Sequence, residues 1–139
     1  MQAPVLNITM PVFNRFELTQ RSLLSLRKCS QTVPFSIPVV DNGSDRELAE
    51  RLLEFKQSGI IDKLFLLEKN VGIAAAANIG WEMTDAPFYL KIDNDVIVTD
   101  KDFFTKIFKL WAHGEAMSTL GGTTGKILEQ NPGAVHTKD

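Results

Sequence analysis

Residues 36–45 read Ser36-Ile37-Pro38-Val39-Val40-Asp41-Asn42-Gly43-Ser44-Asp45 and pass from strand to turn to helix within one short stretch. The apolar run through Val40 predicts a strand, with Pro38 near its start, where a missing N–H is tolerated. Asn42-Gly43 is a turn pair, since both residue types reach backbone conformations that others avoid. Asp45 can then cap a helix running to about Ser58, with Leu48, Leu52, Leu53 and Phe55 as its buried stripe and Gly59 closing it. The stretch is therefore one βα unit.

The same rhythm extends in both directions. Upstream, Val5 to Met10 reads as a first strand stopped by Pro11, and Phe16 to Cys29 as a helix that places Leu18, Leu23, Leu24 and Leu26 on one side. Downstream come a third strand over Lys63–Leu67, a loop over Glu68–Gly72 and an alanine-rich helix from Ile73 to Met83. A fourth strand over Phe88–Ile92 is broken off by Asp93-Asn94-Asp95, and a helix follows from Lys101 to Ala112, with Phe103, Phe104, Ile107, Phe108 and Leu110 to bury. Met117–Leu120 reads as a fifth strand before Gly121-Gly122. Serial strand–helix–strand units predict an α/β fold with a parallel sheet, strands one to four in the order 3-2-1-4 and helices on both faces. In open α/β sheets ligands bind beyond the carboxyl ends of the strands. The polar residues of this sequence collect there.

Composition narrows the class. The chain has 139 residues, 44% hydrophobic and 23% charged, the content of a single globular domain over 1–139. A chain of this size buries roughly 68–70% of its unfolded surface and needs no disulfide or structural zinc. Its single cysteine, Cys29, offers neither, which predicts a reducing, cytoplasmic setting. A formal net charge of −2 disfavours nucleic acid as a partner. Met1-Gln2-Ala3-Pro4 is not a secretory leader, and no apolar run is long enough to span a bilayer, so membrane association is not indicated.

Four segments carry candidate chemistry. Asp93 and Asp95, two residues apart past a strand, are expected to project to one side and to share either one hard cation, Mg²⁺ or Mn²⁺, that also takes diphosphate oxygens, or one cation and a sugar hydroxyl. A turn that merely closes the strand explains the same triplet. Asp41 at the second strand's end can accept a base N–H or ribose hydroxyls. Pro11-Val12-Phe13-Asn14-Arg15 offers a ring for stacking and a guanidinium for phosphate. In Asn70-Val71-Gly72 through Asn78-Ile79-Gly80, the alanines explain themselves as close helix–sheet packing, whereas Asn78 is a polar group on an apolar helix. Cys29, Trp81 and Trp111 read as packing residues, and His113 and His136 lack a partner at metal-ligand spacing. Neither a dinucleotide-binding Gly-x-Gly-x-x-Gly nor a phosphate-loop Gly-x-x-x-x-Gly-Lys motif is present.

Together and in this order, the four segments resemble family 2 glycosyltransferases of the GT-A fold, over about residues 5 to 125. Pro11–Arg15 is similar to the family's first-strand exit and Val40–Ser44 to its second. Asn70 through Gly80 resembles its Asn-x-Gly…Asn-x-Gly stretch, and Asp93–Asp95 stands where it carries Asp-x-Asp. The resemblance implies a three-layer fold and a nucleoside-diphosphate sugar donor bound by Pro11, Phe13, Asn14, Arg15, Asp41, Asn42, Gly72, Asn78, Asp93 and Asn94. It implies Mg²⁺ or Mn²⁺ on Asp93 and Asp95, and transfer to a hydroxyl of a saccharide, lipid or protein acceptor. Two departures stand out. Ala77 occupies a place where some members carry a basic residue, and the family's catalytic base and acceptor-binding segments follow well beyond Asp-x-Asp, so the domain is expected to be incomplete at its C-terminus and no catalytic residue is assigned. A non-catalytic nucleotide-sugar binding module and a nucleotidyltransferase are the alternatives.

Overall fold

The computed structural model describes the backbone of residues 2–113 and the side chains of residues 2–109. In chain order the elements are β1 (Leu6–Val12), α1 (Phe16–Arg27), β2 (Phe35–Ser36), β3 (Pro38–Asn42), α2 (Arg46–Gln57), β4 (Lys63–Leu67), α3 (Ile73–Met83), β5 (Phe88–Lys91) and α4 (Phe103–His113). Packing divides the chain into a unit of residues 1–105, which holds the whole sheet, and a unit of residues 106–139, whose described part is the remainder of α4. The expected strand over Met117–Leu120, the Gly121-Gly122 turn, the Trp111 and His113 side chains and His136 lie outside the described residues.

Among the described residues all sheet pairings are parallel, as the βα alternation requires. β1 is the centre. All seven of its residues are buried, and it pairs on one side with β5 (Ile8↔Leu90) and on the other with β3 (Pro11↔Val40). β3 in turn pairs with β4 (Val40↔Phe65). The order β4-β3-β1-β5 is the expected 3-2-1-4.

The strand expected over 36–40 is divided in two at Ile37. β2 and β3 nevertheless keep one register against β1, from Leu6↔Phe35 to Val12↔Asp41, so they are a single strand interrupted where Pro38 has no N–H to donate. Asp62 stitches the gap: its carboxylate accepts the Ile37 N–H (2.7 Å) and its own N–H donates to the Ile37 carbonyl (3.1 Å).

Alternation along β1 assigns the layers. Asn7 points to α3, where its amide donates to the carbonyls of Gly80 (3.2 Å) and Thr84 (2.9 Å), and its Oδ1 accepts from the Thr9 hydroxyl (2.6 Å). Carbonyls at a helix C-terminus have no partner within the helix, so this buried asparagine satisfies α3 and fixes it to the sheet. Gly80 permits the approach, because a Cβ there would collide with Thr9 Cγ2. On the opposite face, Phe35 meets Phe104 (ring centroids 5.4 Å) and the guanidinium of Arg27 from α1. α2 shares that face through Phe16–Phe55.

Three expected details differ. β1 is not stopped by Pro11 but runs on to Val12, because Pro11 and Val12 still pair with Val40 and Asp41 in the parallel ladder. α1 ends at Arg27, leaving Cys29 beyond the helix yet buried. Leu24 and Leu53 are exposed and Phe55 is half-buried, so the apolar stripes are narrower than the spacing predicts. In α1 the buried face is completed by Thr19, Ser22 and Ser25. These hydroxyls have partners described below.

Candidate functional site

Beyond the carboxyl ends of the strands lies an open cleft of about 330 Å³. Its walls come from four strand exits: Pro11, Val12, Phe13 and Arg15 after β1; Asn42 after β3; Asn70 and Ile73 between β4 and α3; and Asp93, Asn94 and Asp95 after β5. The structure thus gathers Pro11, Phe13, Arg15, Asn42, Asp93, Asn94 and Asp95 of the expected site residues.

The turn after β3 organises one side. The Asp41 carboxylate accepts the Ser44 N–H (3.1 Å), an Asx-type turn, and Asp41 itself is buried. Asn42, also buried, reaches across to the loop before α3: its Oδ1 accepts the Val71 N–H (2.9 Å) and its amide donates to the Gly72 carbonyl (3.3 Å). Gly72 is therefore held as backbone beside the cleft wall. Gly43 lets the two loops touch. It sits at φ +83°, and a Cβ on it would lie 2.5 Å from Asn70 N and Lys69 C.

The same turn also holds the exit of β1. Asn14 and Arg15 have φ of 53° and 58°, two consecutive left-handed residues without a glycine, a conformation that costs roughly 1–2 kcal/mol per residue. Asn14 stays there because its N–H donates to Ser44 Oγ (2.8 Å) while its Oδ1 accepts the Asp45 N–H (3.2 Å). Asp45 occupies the N-cap of α2 without a side-chain capping bond. Held in this way, Phe13 is half-exposed at the cleft and Arg15 points its guanidinium at Asp95, 3.8 Å away.

Opposite stands Asp93-Asn94-Asp95. It is a turn rather than a continued strand, closed by the Val96 N–H on the Asp93 carbonyl (3.2 Å), yet both carboxylates still line the same cleft. The hydroxyls of α1 position it. Asn94 donates to Thr19 Oγ1 (3.0 Å), Ser22 Oγ to the Val96 carbonyl (2.5 Å), and the Val98 N–H to Ser25 Oγ (3.0 Å). The carboxylates themselves are about half-exposed and carry ion pairs: Asp95 with Arg15, and Asp93 with Lys91 at 2.5 Å. Among the described residues no three acidic, histidine or cysteine side chains come together. Two carboxylates fit a hard cation whose other positions are filled by phosphate oxygens and water, which is how Mg²⁺ is usually held.

Asn78 is not part of this cleft. It is exposed on α3 beside Trp81, Glu82 and Tyr89, at a separate shallow depression. Of the four alanines, Ala76 and Ala77 are buried as packing demands, whereas Ala74 and Ala75, in the first turn of the helix, are exposed; Trp81 is half-buried with its indole N–H on the Leu90 carbonyl (3.4 Å). Burial pushes the Cys29 thiol pKa up, and Asp100 and Asp102 add to the shift. Sequence reading misses Lys91, Ser44 and the hydroxyl row of α1. Lys91 and that row left a signal, a lysine two residues before Asp93 and small hydroxyl residues every third position.

Residues 7–138 match the family model described as Glycosyl transferase family 2. The chain belongs to this family. Two curated relatives are an N-acetylglucosaminyltransferase of Azorhizobium caulinodans, 28% identical over 92% of this chain and 32% of its own length, and a protein of Haemophilus influenzae named as an uncharacterized glycosyltransferase, 32% identical over 92% of this chain and 54% of its own. The family 2 chain thus spans about a third to a half of the length of these relatives. Among solved structures, the mannosyltransferase PcManGT of Pyrobaculum calidifontis, in complex with GDP-Man and Mn²⁺, superposes with a TM-score of 0.67 at 18% identity, covering 81% of this chain and 33% of that one. TarS residues 1–349 of S. aureus, in complex with UDP-GlcNAc, gives 0.67 at 20% identity, covering 90% and 37%. These likenesses show the fold, which is GT-A. Among the described residues no helix is long and apolar enough to cross a membrane.

Proposed function

We propose that this chain binds a nucleoside-diphosphate sugar together with Mg²⁺ or Mn²⁺ in the cleft, as the donor-binding domain of a glycosyltransferase that passes the sugar to an acceptor hydroxyl. The observation that carries the reading is the meeting of Asp93 and Asp95 with Phe13, Arg15 and Asn42 in one cleft at the strand ends. Solved relatives of the same fold hold GDP-Man with Mn²⁺ or UDP-GlcNAc.

In this reading Asp93 and Asp95 hold the cation against the diphosphate. When bound, the cation neutralises the diphosphate and stabilises the nucleoside diphosphate as it departs. Phe13, half-exposed beside Pro11, stacks on the base. Asp41, buried and outside the cleft walls, keeps Oδ1 on the Ser44 N–H, which leaves Oδ2 to accept a base N–H or a ribose hydroxyl, and Asn14, Asn42 and Gly72 hold the backbone that shapes the nucleoside side. Arg15, preset by its left-handed backbone, supplies charge to the phosphates. Asn94 fixes the acidic turn to α1. Asn78, exposed outside the cleft, takes no part in this donor contact. The cytoplasmic reading rests on the unbridged Cys29.

Calorimetry of UDP and GDP with Mn²⁺, Mg²⁺ or chelator tests the proposal. Tighter binding with metal is expected, and equal affinity in chelator overturns it. Two variants then separate roles: Asp95→Ala should abolish the metal dependence, whereas Asp41→Ala should weaken binding and leave that dependence intact. Each lost contact to a charged group is worth roughly 1.5–3 kcal/mol, or about one to two powers of ten in affinity. Release of free sugar from a donor such as UDP-GlcNAc distinguishes an enzyme from a binding module.

A further inference from the structure

The extended backbone does not stop where β5 does. Ile92 is buried and its N–H still donates to the Thr9 carbonyl (2.9 Å), so Lys91 and Asp93 lie on one side of the same extended segment. The Lys91 ammonium uses this placement to bond Asp93 Oδ1 at 2.5 Å. It occupies one of the two oxygens that Asp93 has to offer a metal. The Lys91 side chain is 32% exposed, against 58% for Arg15 in its longer pair with Asp95, so the Lys91 charge is the less screened of the two.

We infer that Lys91 is a specificity-determining residue of the donor site: its ammonium stands in for the divalent cation on Asp93, opposes metal binding in the absence of diphosphate, and so couples the loading of metal to that of nucleotide. The inference rests on the metal-site reading proposed above. A bare cation must displace the ammonium or share the carboxylate with it, and in either case has that positive charge beside itself. A cation arriving with a diphosphate brings two negative groups that compensate the charge. Metal and nucleotide then strengthen each other's binding by the same factor, because linkage between two ligands is reciprocal.

The experiment titrates the whole chain with Mn²⁺ alone, following free Mn²⁺ by electron paramagnetic resonance, and repeats the titration with saturating UDP or GDP. Lys91→Met is expected to bind Mn²⁺ alone roughly threefold to tenfold more tightly than the parent, the range set by removing one half-screened charge next to the site. The gain in Mn²⁺ affinity caused by nucleotide should shrink by a comparable factor. Lys91→Arg, which keeps the charge, should behave like the parent. Lys91→Gln serves in place of Lys91→Met should the latter melt early. A purely structural role for Lys91 would lower the melting temperature and leave the coupling unchanged. Folded variants with unchanged or weaker Mn²⁺ affinity overturn the inference while leaving the metal site standing. A parent that binds no Mn²⁺ even with nucleotide overturns the metal-site reading and this inference with it.

Discussion

The two sides of the cleft are built on opposite principles. The turn after β3, Asp41 to Asp45, is held by directed hydrogen bonds, from buried or half-buried groups in Asp41 to Ser44, Asn42 to the Val71–Gly72 loop and Ser44 to Asn14, and from the exposed Asp45 to Asn14. The turn after β5 has its backbone laced to α1 but presents its two carboxylates half-exposed and paired with exchangeable cations. Buried hydrogen bonds are costly to leave unmade, whereas exposed ion pairs contribute little to stability. One side therefore sets shape, and the other is free to trade partners with a ligand.

The harshest test of this division is Gly43→Ala. A side chain at φ +83° that also presses on the backbone of Lys69 and Asn70 should cost about 3 kcal/mol, seen as a fall in melting temperature on the order of 10 °C. Asn42→Ala should follow, at about 2 kcal/mol, because it leaves the Val71 N–H without its acceptor; chemical denaturation measures it. If either proves neutral, the β3 turn is not the rigid side. Asp93→Asn sharpens the contrast from the other direction: stability should change by no more than about 0.5 kcal/mol, while the metal dependence of nucleotide binding is lost. A large stability loss there would make both turns scaffold. The smallest effect is expected at Cys29, buried and with a raised thiol pKa. Little thiolate forms near neutral pH, so alkylation should be slow in the native chain and fast only after unfolding.

The parallel sheet was legible because it needs only the βα alternation and the right-handed crossover, which survive in spacing; the order 3-2-1-4 leaned also on the polar strand exits and the family resemblance, since right-handed crossovers allow 2-1-3-4 as well. Single features within an element were less so. Pro38 marked a strand start in sequence, but its interruption of the ladder, and the repair by Asp62, depend on a residue 24 positions later. Leu24 fits an apolar stripe by spacing and is exposed, because the adjoining buried face is polar and bonds the segment after β5. The site shows the same limit. Asp93 and Asp95 announced themselves by type, whereas the Ser44 hydroxyl acts through Asn14, a contact across thirty residues that no local pattern records. Asn78 drew notice as a polar residue on an apolar helix, yet it faces away from the cleft with Trp81, Glu82 and Tyr89.

β1 lies near the start of the chain and between its two flanking partners, and this has a kinetic consequence. Its first partner begins at Phe35 and its second only at Phe88. Every one of these pairings is parallel, so none can close as a tight hairpin, and each waits for a long crossover to be completed. A nascent chain must therefore carry an apolar strand with one unsatisfied edge until the residues around Phe88–Lys91 have been made. Open apolar edges of this kind recruit other chains. Mutations that weaken β5 should thus reveal themselves first as aggregation during synthesis, before any loss of stability in the finished protein.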